Sequence, residues 1–292
     1  MLHRGMVTTN RIRLTGLLKR SPLRRASLCA LLFVSTAAAA PPPAVDAPIP
    51  KEPAPLARAL VQTTADLEQA IRQHVPITAT GPADVVLHAL YQQRIYRLLV
   101  RDSGLASPTL ALLPPSLAKV SRDLLAAQRE LYRLTPPIGV KTIKVGVARP
   151  AAELLGYYRE AQRRFKVPWN VLAAVNFVES KFGKLRSASA AGAQGPMQFM
   201  PATWKQYGLG GNVHDAHDSI FGAANYLQAS GAPQNLRNAL HHYNPSSAYV
   251  DAVLRYARRI SGDRTMFYAL YSWQVFVKTP SGDRRVTGPG LP

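Results

Sequence analysis

Along most of this chain the apolar residues return every three to four positions, and prolines or glycines close the runs. Segments patterned this way bury their apolar surface as packed helices, so the expected class is mainly α. Residues 56–74 place Leu60, Leu67 and Ile71 on one stripe. Residues 82–101 do so with Val86, Leu90, Ile95 and Leu98, and residues 115–134 with Leu117, Val120, Leu124, Leu131 and Leu134. Pro136 and Pro137 close the set. Residues 56–149 therefore read as a helical hairpin or three-helix arm, a packing or spacer element. Within it, residues 138–149 alternate weakly, as a linker or short strand does. Ahead of it, residues 41–55 are rich in proline and alanine and read as an extended, disordered linker.

At Pro150 the composition shifts. Of the 23 Phe, Tyr and Trp residues, 19 lie in 150–292. Aromatic rings fill cores and also stack on sugar rings, and composition alone leaves both uses open. Residues 150–165 form a helix with Leu154, Tyr158, Ala161 and Phe165 on one face. Pro168 starts the next, with Gly183 as its expected cap. A Gly/Ala/Ser-rich loop fills 186–201. Asp218 is the expected N-cap of a helix through Ala229, ended by Gly231. Further helices fit 233–242 and 246–260. The tail, 263–292, reads as a short C-terminal β-hairpin turning at Ser281-Gly282-Asp283.

Residues 1–40 look like an address. Seven Lys and Arg precede a short apolar run that ends in alanines. A basic start, a short apolar centre and small residues describe a secretory signal peptide, the alternative being an uncleaved anchor. The run falls short of the roughly 20 residues that span a bilayer, so no stable membrane span is expected after processing. Cys29 is the only cysteine and lies inside the apolar run, which excludes a disulfide framework. The formal charge of +20 loses seven units with the leader and becomes +13 on residues 41–292. Such a charge suits nucleic acid, anionic membrane or anionic wall polymer.

One carboxylate stands out after Pro150. The segment has three glutamates. Glu153 sits in a first helical turn, where a negative charge suits the macrodipole, and Glu160 lies four residues before Arg164. Glu179 instead continues the apolar stripe of Leu172 and Val175, near a helix C-terminus. Burial and the negative helix end both raise a carboxyl pKa, as a general acid needs. The alternative is an acid at the helix rim, paired with Lys181 or Lys184.

The segment Glu179-Ser180-Lys181-Phe182-Gly183, the run Gly192-Ala193-Gln194-Gly195-Pro196-Met197-Gln198-Phe199-Met200-Pro201 and the later Tyr243-Asn244 resemble the soluble lytic transglycosylase family of lysozyme-like enzymes. Ala224-Asn225-Tyr226-Leu227 is similar to the membrane-bound type B branch. The resemblance covers 150–262. It departs from the family pattern in one extra residue before Gly192, in Pro196 for Leu, and in Pro245 for a small residue. The resemblance implies a lysozyme-like fold and a lyase that cleaves the β-1,4 bond between N-acetylmuramic acid and N-acetylglucosamine, leaving a 1,6-anhydro end. It implies Glu179 as the single acid/base. Ser180 would orient the acid or an N-acetyl group, Gln198, Tyr243 and Asn244 would line the groove, and Met197 would pack beside it. Peptidoglycan glycan strands are the implied partner, with anionic wall polymers beside them. The expected location is the periplasm, the cell wall or outside the cell. A goose-type muramidase using water, with Asp215 or Asp218 as base, and a non-catalytic wall-binding scaffold stay open.

No cofactor and no metal are expected. His214-Asp215-Ala216-His217-Asp218 looks like a metal cluster, yet a helix start accounts for it more simply. Arg255, Arg258 and Arg259 read as a basic helix surface, solvated or facing the wall. No nucleic-acid recognition module is visible.

Overall fold

The computed structural model describes residues 41–140 and 143–291. The expected leader, residues 1–40 with Cys29, lies outside the described residues. The elements run α1 (Pro53–His74), α2 (Ala83–Arg101), α3 (Ser103–Ala111), α4 (Pro115–Leu134), α5 (Ala151–Phe165), α6 (Trp169–Ser180), α7 (Pro201–Tyr207), α8 (Ala216–Ala229), α9 (Leu236–Tyr243), α10 (Ser247–Gly262), α11 (Arg264–Ser272), β1 (Phe276–Thr279) and β2 (Gly282–Arg285). The molecule is mainly helical, with a small antiparallel hairpin near its C-terminus. No helix among the described residues is long and apolar enough to cross a membrane.

Several local expectations are corrected. Helix α1 starts at Pro53, inside the segment read as a linker, because proline is tolerated in a first turn. The rest of that segment is not loose. Arg94 donates to the carbonyls of Val45 (3.0 Å) and Ala47 (2.9 Å), and Tyr91 to that of Pro48 (3.0 Å). A proline-rich stretch lacks N–H groups to pair those carbonyls internally, which leaves them to side chains. The N-cap of α8 is Asp215, whose carboxylate accepts from the Asp218 N–H, so Asp218 sits in the first turn. The C-terminal hairpin turns at Pro280-Ser281, with Thr279 paired to Gly282 and Asp283 already inside β2. Thr279 Oγ1 donates to the Gly282 carbonyl (2.6 Å), which pulls the turn one residue earlier.

Helix α6 is the centre of the packing. Every residue from Val171 to Phe177 is buried. Each buried Val, Leu or Phe contributes about 1.5–3 kcal/mol relative to exposure. Helix α5 covers one side of α6, and α10 another. The far side of α10 packs on α4, so the arm helices and those after Pro150 share one core, and the described residues form one compact unit.

Polar contacts fasten this unit. Asp123 of α4 accepts from Arg255 (3.4 Å), Arg258 (3.5 Å) and Arg259 (2.7 Å) of α10. These arginines are therefore not a free basic surface; a carboxylate one helix away gathers them. Burial works to raise the Asp123 carboxyl, and Arg259 with Arg258 overcomes it and holds the carboxyl below its usual range. Gln93 of α2 behaves as a strand would. Its Nε2 donates to the Gln274 carbonyl (2.9 Å) and its Oε1 accepts from the Gln274 N–H (2.8 Å). Arg97 and Arg101 of α2 reach Asp283 of β2 at 2.6 and 3.2 Å.

Candidate active site

Glu179 closes the last turn of α6, and the chain leaves that helix abruptly. Lys181, Phe182 and Gly183 all adopt left-handed backbone, with φ of 53°, 61° and 82°. Two of the three carry side chains, and each such residue costs of order 1 kcal/mol, which the surroundings must offset. The cap is Lys181 and not Gly183. Ser180 stabilises the turn: its Oγ accepts from the Gly183 N–H (2.8 Å) and donates to the Pro196 carbonyl (2.5 Å).

The same carbonyl accepts from Asn176 Nδ2 (2.8 Å), and Asn176 Oδ1 accepts from the Tyr158 hydroxyl (2.6 Å). Tyr243, from α9, donates to the next carbonyl, Met197 O (2.6 Å). The Gly195–Phe199 turn is thus held by its backbone from two helices. Gly195, at φ +73°, lies where a Cβ would come within 1.9 Å of the Val213 carbonyl, so no other residue fits. Gln198 (φ 50°) bends back, its Nε2 donating to Gly195 O at 3.0 Å.

Glu179 accepts a 2.6 Å hydrogen bond from the Tyr249 hydroxyl of α10. It makes no ion pair among the described residues. Lys184, one of the two lysines in reach by sequence, donates to the carbonyls of Tyr271 (2.6 Å) and Trp273 (2.8 Å). Burial raises the Glu179 carboxyl from 4.5 to about 7; the Tyr249 hydrogen bond and the Lys181 charge oppose the rise. Burial likewise pushes Lys181 down to about 8, with Arg97 adding to the fall. Glu179 therefore keeps its proton to much higher pH than an exposed carboxylate does. Tyr249 itself is buried, and its phenol is held well above the ordinary range, first by burial and then by the Glu179 charge. It remains a hydrogen-bond donor across the working range.

Glu179 lies on the wall of a cavity of about 380 Å³. Ser180, Asn244 and Tyr249 share that lining; Met197, Gln198 and Tyr243 do not. Of the residues expected at the site, Ser180, Met197 and Tyr243 take up their polar atoms in holding the Gly195–Phe199 turn. Tyr243 adds to an aromatic row, 5.7 Å from Tyr226 and 5.8 Å from Phe199. Tyr249 was not expected. Its place on the apolar face of α10 is legible from Val253 and Tyr256, but nothing in the spacing says that this face meets Glu179.

Residues 156–263 match the family described as "Transglycosylase SLT domain". That span opens within α5 and closes at the cap of α11, so it contains Glu179, Tyr249 and the Gly195–Phe199 turn. This segment is similar to SLT transglycosylase domains. The chain is also 28% identical over 119 residues to "Membrane-bound lytic murein transglycosylase F" of Thiobacillus denitrificans, an overlap of 38% of this chain. It spans 25% of that relative's length. No solved structure matches the chain. The mainly helical packing around α6, with its small hairpin, is consistent with the lysozyme-like fold that the resemblance implies. Helices α1–α4 and the hairpin lie outside the matched span.

One side-chain group among the described residues has the makeup of a metal site: Asp215, His217 and Asp218, with donor atoms within 4.8 Å of one another. Each has another task. Asp215 caps α8, Asp218 accepts from the Asn212 N–H (2.9 Å), and His217 Nδ1 lies 3.1 Å from Asp218. None of the three lines the Glu179 cavity.

Proposed function

We propose that the chain is an exported peptidoglycan lytic transglycosylase in which Glu179 alone serves as acid and then base. The observation that carries this reading is a carboxyl whose pKa burial brings to about 7, on the wall of a cavity and hydrogen-bonded to a neutral tyrosine. Protonated Glu179 gives its proton to the glycosidic oxygen between N-acetylmuramic acid and N-acetylglucosamine. The C1–O bond breaks, and positive charge develops at the muramyl C1. The carboxylate then takes the proton of that sugar's C6 hydroxyl, and O6 bonds to C1. The products are a 1,6-anhydro end, a free 4-hydroxyl on the departing sugar, and Glu179 protonated as at the start.

No water enters, so no second carboxylate is needed, unlike the paired acids of most glycosidases. The acids that a water-using route would require, Asp215 and Asp218, stand at the start of α8. Asp283, the other carboxylate on the cavity wall, is held by Arg97 and Arg101. Both facts favour the single-acid route. The name of the relative, which describes a murein transglycosylase, points the same way. The net charge of +13 on residues 41–292 suits adhesion to an anionic wall.

Digestion of purified peptidoglycan, with the products weighed, tests the proposal. Anhydro ends, lighter than reducing ends by one water, are expected. Reducing ends would replace the lyase with a muramidase, and no soluble product would leave a binding scaffold. Glu179→Gln is expected to lose about 10²- to 10⁴-fold in cleavage rate, the range for a general acid, while still sedimenting with sacculi.

A further inference from the structure

The cavity that starts at Glu179 does not end within the SLT-like segment. It continues between the arm and the hairpin, where Gln128 and Tyr132 of α4, Arg97 of α2 and Lys278 of β1 form its walls. Leu131, Ile138 and Val277 add apolar surface. These walls all come from parts of the chain outside the matched span.

Donors outnumber acceptors here. Lys181 Nζ makes one hydrogen bond, to Phe177 O (3.1 Å), and lies 4.1 Å from the centre of the Phe177 ring. Lys278 Nζ donates to Thr135 O (3.1 Å) and weakly to Tyr132 O (3.4 Å). Neither lysine has a carboxylate within ion-pair distance among the described residues, Lys181 acting on Glu179 only from further off, and an ammonium carries three donors. Ammonium donors left unpaired cost free energy, so a ligand that pairs them gains it. A group that fits offers carboxylates for the lysines and short alkyl parts for the apolar walls. A phosphate polymer leaves those walls uncovered. A short acidic peptide serves both.

We propose that this extension of the cavity binds the carboxylate-bearing peptide branch of the muramyl residue, with Lys181 and Lys278 taking its carboxylates. The inference rests on the glycan-cleaving reading above. It gives the arm and the hairpin a task in substrate choice: they select glycan that still carries its peptides.

The test uses the full chain with Glu179→Gln, so that ligand survives. Titration calorimetry compares a muramyl tetrasaccharide bearing its peptides with the same sugar after an amidase has removed them. The peptide-bearing ligand is expected to bind about tenfold tighter, the worth of one charge-assisted hydrogen bond. Adding Lys181→Met and Lys278→Met is expected to bring its affinity down to that of the stripped sugar. Equal affinity for the two ligands overturns this inference and leaves the cleavage reading standing, as does a preference that survives the double substitution. Binding of neither ligand overturns both. Should the double variant fail to fold, the comparison of the two ligands on the intact lysine pair still supports or overturns the inference by itself.

Discussion

A carboxyl at the negative end of a helix, with little water around it, holds its proton to higher pH than one in solution. For Glu179 the folded value is about 7 against 4.5. Because the folded value is raised, the stability this group contributes is full below its unfolded pKa and is lost as pH rises through 7. Complete ionisation costs the fold about 3 kcal/mol on this scale. Glu179→Gln, which cannot ionise, is therefore expected to be more stable than the parent at pH 8 by about that amount, and nearly equal to it at pH 4. Urea midpoints at the two pH values check this; a gain of the same size at both would remove the ionisation argument. Tyr249 favours the charged form, so Tyr249→Phe should raise the Glu179 pKa and move the alkaline limb of the cleavage profile to higher pH. A limb that stays in place or moves down would mean that Tyr249 does not reach the working carboxyl. Glu179 was legible because periodicity and the elimination of two other glutamates both single it out. Tyr249 was not, because its hydroxyl arrives from 70 residues further on. Ser180 and Tyr243 were expected to meet substrate, but their hydroxyls bind backbone carbonyls of a turn, a role that no spacing rule states.

At the scale of elements, the contact between α4 and α10 turns on Asp123. Its side chain is 15% exposed and faces three arginines. Removing it leaves those guanidinium groups crowded without a counter-charge. Asp123→Ala is expected to cost about 3 kcal/mol, the penalty for breaking a partly buried pair from one side. A loss under about 0.5 kcal/mol, as at ordinary surface positions, would mean that solvent replaces Asp123 without penalty. The sequence places an acid and three bases on two separate helices; it does not say that the helices are neighbours, so the arginines read as a solvated face. Helices with a clear one-sided stripe, such as α2, α4 and α5, were legible almost to the residue, and α1 was legible apart from its first turn. Those without one were not. Helix α3 contains Gly104 and Pro108 and buries only Leu105, Ala106 and Thr109. In α11 every residue from Phe267 to Ser272 is buried, and a continuous apolar run has no period to read.

For the whole molecule, the change in aromatic content at Pro150 marks a boundary in composition that the packing crosses repeatedly. Gln93 pairs with the backbone of Gln274, Tyr271 donates to the Arg149 carbonyl (2.8 Å), and the Asp123 cluster joins α4 to α10. Trp273, just past α11, packs 5.9 Å from Tyr96 of α2 and 6.0 Å from Phe177 of α6, so one ring serves both sides of the boundary. Separating the sides would expose that ring, unpair the two glutamine hydrogen bonds and leave Asp283 and Asp123 without their cations. Costs of that kind couple the unfolding of the parts, since neither can open without the other losing its buried surface. The chain is therefore expected to unfold in one calorimetric transition, with the van't Hoff enthalpy equal to the measured enthalpy. Asp123→Ala should lower its midpoint without splitting it. Two resolved transitions in the parent protein, or a van't Hoff enthalpy near half of the calorimetric value, would mean that arm and SLT-like segment are independent units. Substrate preference assigned to their shared cavity would then need the two to be docked by the glycan itself.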